Sequence, residues 1–159
     1  KIAMTHRTNE NFFETELRLP SFYKKEAAID KEARALLDDF DLTPHARSRA
    51  DSLPYGLQRR VEIVRALATK PKLLFLDEPA AGMNPEETDE LTALIRRIRN
   101  DYGTAVILIE HDMSLVMNLA QRIYVLDHGS LIANGTPKEI QNNKAVVAAY
   151  LGGDADAEG

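Results

Sequence analysis

Two adjacent carboxylates, Asp77 and Glu78, end the apolar run Leu73-Leu74-Phe75-Leu76 and are followed at once by Pro79. At the carboxyl end of a parallel strand, ligands bind in the crevice outside the sheet. An aspartate placed there can hold Mg²⁺ through water, and the next acid can polarise a water for attack as a general base. Taken alone, the pair equally suits the start of a solvated loop.

A second apolar run, Thr104 to Ile109, ends at Glu110-His111-Asp112. If the two runs are neighbouring parallel strands, His111 reaches the same rim as Asp77 and Glu78. Its two ring nitrogens can serve a phosphate oxygen and a water at once, although a loop histidine is also commonly solvated or a cap. A third feature is Leu53-Pro54-Tyr55-Gly56-Leu57-Gln58, a turn that opens a helix carrying Arg59, Arg60 and Arg65. The free N–H groups and dipole of a helix start favour phosphate, and Gly56 permits close backbone approach. The bland account is a loop glycine ahead of a wet basic face.

The elements that must position these residues follow from periodicity. Ile29, Ala33, Leu36, Leu37 and Phe40 recur at helical spacing, so a helix is predicted over 22–40. Leu57, Val61, Val64 and Ala68 predict another from about Gly56 to Lys70, stopped by Pro71. Beyond Pro71, short apolar runs alternate with capped helices, the pattern of β-α units in a mostly parallel sheet. KLLFLD and TAVILIE lack polar alternation and are expected to be buried on both faces. Between them, Asn84-Pro85-Glu86-Glu87 forms a capping box for a helix through Asn100, with Leu91, Leu94, Ile95 and Ile98 inward and Gly103 as terminator. Asp112 caps a short helix to Ala120. RIYVLD and SLIAN read as two strands around the Asp127-His128-Gly129-Ser130 turn, and Thr136-Pro137-Lys138-Glu139 opens a helix expected to run to Leu151 and stop at Gly152.

The chain of 159 residues, 44% apolar, has enough apolar content for a core, which excludes a disordered tail. It has no cysteine, so thiolate metal sites, thiol nucleophiles and disulfides are excluded, and a reducing cytosolic setting is the default expectation. No apolar run approaches the roughly 20 residues of a bilayer-spanning helix. The polar opening KIAMTHRTNE has no signal-peptide core, and an incomplete N-terminus is expected. Residues 1–70 carry a formal charge of +2 and residues 71–159 carry −7, without the clustered basic stripe of a nucleic-acid surface.

In order and spacing, the three chemical features resemble the nucleotide-binding domain of ATP-binding-cassette (ABC) transporters over nearly the whole chain. LPYGLQ at 53–58 sits where that family has its Leu-Ser-Gly-Gly-Gln signature, LLFLDE at 73–78 resembles the Walker B strand, AAGMN at 80–84 the D-loop, and His111 the switch histidine. DEPAAGMNP, IEHDMSLVM, RIYVLDHG, IANGTP and AAYLGG are most similar to the ATPases of branched-chain amino acid importers. The lipopolysaccharide-export ATPases share the ending but are less similar around EHDMSLVM.

The resemblance implies an α/β fold of the P-loop NTPase type, present in part. It divides the chain into a helical subdomain over 1–70, a catalytic α/β half over 71–135 and a helical extension with an acidic tail over 136–159. It further implies ATP and Mg²⁺ as cofactors, with Asp77 ordering the metal through water, Glu78 as general base and His111 on the terminal phosphate. Leu53, Pro54, Tyr55, Gly56, Leu57 and Gln58, with Gly82 and Asn84, would face nucleotide held by a second ATPase subunit. The implied partners are that subunit, transmembrane permease subunits and, indirectly, a substrate-binding protein, on the cytoplasmic face of the bacterial inner membrane, with no nucleic acid. Two departures matter. The Walker A loop Gly-x-x-x-x-Gly-Lys-Ser/Thr and the Gln loop are absent from the chain, and both would precede Lys1, so these 159 residues alone are expected neither to hold ATP tightly nor to hydrolyse it. Pro54 stands where the signature usually has serine, and Leu57 replaces a more polar residue. The rivals are a catalytically silent interaction module, a lipopolysaccharide-export type ATPase, and a non-transport cassette ATPase, whose long coiled-coil or basic insertions the sequence lacks.

Overall fold

The computed structural model describes residues 1–5 and 20–150. They form two compact units, the first ending at Ile109 and the second starting at Glu110.

The first unit contains α1 (Ile2–Thr5), α2 (Pro20–Asp39), two 3-10 turns (Thr43–His45 and Ala50–Ser52), α3 (Tyr55–Leu67), β1 (Leu73–Asp77), α4 (Pro85–Asp101) and β2 (Ala105–Ile109). The strands pair in parallel, from Leu73 opposite Ala105 to Asp77 opposite Ile109. A parallel pair needs a long connection, and α4 supplies it. Its start follows from chemistry: the Asn84 side chain accepts the Glu87 N–H, the Glu87 side chain accepts the Asn84 N–H, and Pro85 occupies the first helical position. Leu91, Leu94, Ile95 and Ile98 are its buried face, as the spacing predicts. Gly103 turns the chain at φ +61, and the buried Thr104 donates its hydroxyl to the Pro71 carbonyl at 3.1 Å, fixing the entry of β2.

Helix α2 packs Ile29 against Met4 and Ala68, flanked by Ala33 and Leu36. Helix α3 ends three residues before the predicted stop at Lys70. Ala68 and Thr69 close it, and Lys70 takes φ +53 ahead of Pro71, held by an ion pair to Glu32.

The expectation that both strands are buried on both faces is corrected. Leu74 and Leu76 are buried, while Leu73, Phe75, Ile107 and Ile109 are exposed, Phe75 by 66%. Side chains alternate across a strand, so one face of the pair packs and the other faces outward.

The second unit contains α5 (Met113–Leu119), β3 (Ile123–Asp127), β4 (Ser130–Gly135), α6 (Pro137–Gln141) and α7 (Lys144–Tyr150). β3 and β4 form an antiparallel hairpin whose two turn residues, His128 and Gly129, have positive φ of 45 and 79. Ile123, Val125, Ala133, Ile140 and Val146 make its core. The single C-terminal helix predicted up to Leu151 is two helices. Asn142 donates its side-chain amide to the Lys138 carbonyl at 2.8 Å, and the Asn143 side chain accepts the Ala145 N–H at 2.9 Å, starting α7 anew. Leu151, Gly152 and the acidic tail lie outside the described residues. Among the described residues, no helix is long and apolar enough to cross a membrane.

Candidate functional site

The strand end places Asp77 and Glu78 as the parallel register requires. Asp77 is exposed opposite Ile109, and the Glu78 N–H donates to the Ile109 carbonyl at 2.9 Å. That bond ties Glu78 to the last rung of the sheet while its backbone adopts φ +42. A non-glycine residue held in the left-handed region costs about 1–3 kcal/mol and persists where surrounding structure enforces it, commonly at functional sites. Two turns follow, Ala81 N–H to the Glu78 carbonyl and Met83 N–H to the Ala80 carbonyl, with Gly82 at φ +78, and the loop closes on the Asn84 cap.

The 53–58 segment is local in its geometry. Pro54 is the N-cap of α3 (φ −51, ψ 150) and gives no side-chain cap, and the helix opens at Tyr55, beside Gly56 as expected. The Gln58 N–H donates to the Pro54 carbonyl at 3.0 Å, and the Gln58 side-chain amide folds back to the Leu53 carbonyl at 2.7 Å. Leu53 is buried, and Leu57 is half-buried. Tyr55 is exposed beneath the Arg59 guanidinium, which lies 5.3 Å over its ring, donates to its hydroxyl oxygen at 3.0 Å and reaches Glu62 at 2.9 Å. The Tyr55 hydroxyl and then the Glu62 carboxylate hold the Arg59 pKa above its ordinary value.

The start of α3 lies close against the 80–90 stretch. A Cβ on Gly82 would lie 3.8 Å from the Tyr55 ring, and a Cβ on Gly56 would lie 2.8 Å from Glu87 Oε1. Arg60, its side chain 18% exposed, donates to Glu90 at 2.6 Å. The first unit therefore gathers Tyr55, Gly56, Gly82, Asn84 and Glu87 along one seam. Glu87 is a site neighbour that the sequence reading did not identify. The capping box identified Glu87 as a helix starter, but its approach to Gly56 depends on how α3 and α4 pack.

His111 lies in the second unit, two residues beyond Ile109, with its ring 73% exposed. Its N–H donates to Glu110 Oε2 at 3.2 Å, and Nδ1 stands 3.9 Å from the same oxygen, whose side chain is buried. Asp112 caps α5 by accepting the Leu115 N–H at 3.1 Å, as expected. Glu110, overlooked in the sequence as the last strand residue, is thus the carboxylate beside His111.

The donor set can be tested against Mg²⁺. No group of three His, Cys, Asp or Glu residues with metal-binding spacing occurs among the described residues. Mg²⁺ bound with a nucleotide keeps several waters and needs only one or two carboxylates besides phosphate, a demand that the exposed Asp77 at the strand end can meet. The residues fit that role and do not fit an all-protein metal cage.

An ABC transporter family profile matches residues 2–81, and a second, for the branched-chain amino acid ATP-binding cassette transporter, matches 130–156. The high-affinity branched-chain amino acid transport ATP-binding protein LivG of Escherichia coli K12 is 46% identical over 151 residues, covering 95% of this chain and 59% of LivG. The lipopolysaccharide export system ATP-binding protein LptB of the same strain is 38% identical over 130 residues, covering 80% of this chain and 54% of LptB. The chain thus spans less than two thirds of the length of these relatives. In three dimensions, an ATP-binding cassette of an ABC transporter in its ADP conformation superposes with a TM-score of 0.71 at 29% identity, over 79% of this chain and 50% of the other.

Proposed function

The chain belongs to the ABC transporter ATP-binding family, and from that premise we propose that it works in the ATPase subunit of a bacterial importer for branched-chain amino acids. The observation that carries this reading is the strand-end junction, where Asp77 and Glu78 leave a parallel pair and Glu78 is held at φ +42. Within the reading, residues 1–70 are the helical subdomain, 71–135 the catalytic half and 136–159 the C-terminal extension.

Asp77 is the residue to hold Mg²⁺ through water, and Glu78 is the general base that takes the proton of the attacking water. Mg²⁺ supplies neutralisation of phosphate charge when bound with ATP. His111 faces the terminal phosphate, with the Glu110 carboxylate bonded to its backbone N–H. Leu53 to Gln58, with Gly82 and Asn84, face the nucleotide of a second ATPase subunit, and the seam between α3 and the 80–87 stretch supports treating them as one surface. Permease subunits, and through them a substrate-binding protein, complete the assembly at the cytoplasmic face of the inner membrane, with no nucleic acid. Because the Walker A phosphate cradle is absent from the 159 residues, they hold ATP weakly and do not turn it over on their own.

The test is Glu78→Gln in the full-length protein. ATP binding is retained and turnover falls by at least about 100-fold, the contribution of a positioned base. Turnover equal to wild type overturns the reading. A silent interaction module is the second reading, favoured by the Gln58 amide folded onto Leu53 and by the missing hydroxyl at Pro54. It predicts no turnover in the full-length wild-type protein either.

A further inference from the structure

Glu87 does two things with its two carboxylate oxygens. Oε2 accepts the Asn84 backbone N–H at 3.0 Å and completes the capping box of α4. Oε1 faces another helix: a Cβ at Gly56 would lie 2.8 Å from it, 3.2 Å from Glu87 Cδ and 3.3 Å from Cγ. A capping box closes within one helical turn, so capping α4 does not require approach to a distant glycine. The second box in the chain makes the contrast. Glu139 lies 2.8 Å from where a Gly135 Cβ would be, but Gly135 is the residue just before that box's own N-cap, Thr136.

The glycine at 56 is not there for its backbone. Gly56 is a helical residue of α3 and has no positive φ, and alanine is the better helix former at such a position. What glycine contributes is the absence of a Cβ, and the group filling the space is the Glu87 side chain. On either side lie the Tyr55 ring, 3.8 Å from where a Gly82 Cβ would be, and the Arg60–Glu90 ion pair.

We propose that Glu87 is a positioning residue, which sets the spacing between the 53–58 segment and the 80–84 loop so that both present one face to a nucleotide. Its functional consequence rests on the ATPase reading above, whereas the contact itself does not.

The experiment measures Gly56→Ala in three backgrounds of the full-length Glu78→Gln protein: Glu87, Glu87→Gln and Glu87→Ala. Glutamine keeps the bulk and the acceptor for the Asn84 N–H, and alanine removes both. Alanine's better helix propensity offsets part of what it costs the flexible Glu87 carboxylate to shift, so without nucleotide the change in melting temperature on Gly56→Ala is about 2–4 °C less favourable in the first two backgrounds than in the third. With Mg-ATP, Gly56→Ala raises the ATP concentration for half-maximal subunit association at least about fivefold in the first two and less than about twofold in the third. A role confined to capping α4 gives the same Gly56→Ala effect in every background, and that result overturns the proposal. Should the Glu78→Gln protein itself show no ATP-dependent association, the ATPase reading fails instead, and an equal shift in all three melts still overturns the contact.

Discussion

Tyr102 donates its hydroxyl hydrogen to Asp39 Oδ2 at 2.6 Å, joining the C-terminal end of α4 to that of α2. The neighbouring Phe40 ring is 5.5 Å from the Tyr102 ring and lies under the Arg97 guanidinium, which also donates to the Asp39 carbonyl. Burial, and then the Asp39 carboxylate, push the Tyr102 hydroxyl from 10.0 up to about 12. The folded value lies above the unfolded one, so the protonated phenol stabilises the fold fully below pH 10, and that contribution disappears as pH rises through about 12. Tyr102→Phe is expected to cost about 1 kcal/mol at neutral pH. The gap between wild type and variant, measured by denaturant melts, narrows between pH 10 and 12. A gap independent of pH sinks this prediction.

The capping box offers a second prediction. Asn84 accepts the Glu87 N–H at 3.0 Å, so Asn84→Ala leaves that N–H without its acceptor, although the backbone N–H of residue 84 still reaches Glu87 Oε2, and costs about 0.5–2 kcal/mol. Asn84→Asp keeps an acceptor at the positive end of the helix dipole and holds stability near wild type. Thermal melts of the two variants separate loss of the cap from loss of the side chain. Equal destabilisation by both substitutions contradicts the capping account.

Local chemistry made much of this fold legible. Asn84-Pro85-Glu86-Glu87 and Thr136-Pro137-Lys138-Glu139 each form the reciprocal box that their residues predict, and Gly103 turns the chain before β2. The parallel pairing of the runs ending at Asp77 and Ile109 was likewise legible, because α4 supplies the crossover between them. What stayed hidden depends on choices between competing bonds or on packing. Asn142 and Asn143 are compatible with a continuing helix until their side chains bond to backbone groups. The outward Phe75 and Ile107 share the composition of their buried neighbours, so composition alone does not show which face is covered. The approach of Glu87 to Gly56 depends on the seam between two helices that periodicity treats separately.

Glu78 carries opposing demands, which give a third prediction. At φ +42 its side chain adds backbone strain that glycine does not feel, while glycine costs more entropy on folding. With strain of about 1–3 kcal/mol and an entropy cost of about 0.5–1 kcal/mol, Glu78→Gly is expected to be neutral or to stabilise by about 1 kcal/mol. The same change removes the proposed base, so turnover in the full-length protein falls at least about 100-fold. A stabilised and inactive variant is the expected pair of results. Clear destabilisation shows that the Glu78 side chain supports the fold more than its backbone strains it.

Pro54 supplies the last prediction, because the magnitudes nearly cancel in stability but not in binding. It is the N-cap of α3 without a side-chain bond, and serine there can accept a first-turn N–H for about 0.5–2 kcal/mol. Losing proline frees the unfolded chain and costs about 0.4–1 kcal/mol, so Pro54→Ser is expected to move the melting temperature little. The added hydroxyl also offers a hydrogen bond to a phosphate, so in the full-length Glu78→Gln background it tightens ATP-dependent association modestly. Gly56→Asp differs on both counts. Its Cβ would enter the space 2.8 Å from Glu87 Oε1, and its carboxylate adds like charge both there and towards a phosphate. Gly56→Asp should therefore lower the melting temperature and prevent association, while Pro54→Ser leaves the first unchanged and strengthens the second. Sedimentation with Mg-ATP beside nucleotide-free melts reads both variants together. If Gly56→Asp melts early yet associates normally, the seam against Glu87 is real and the 53–58 segment does not face a nucleotide.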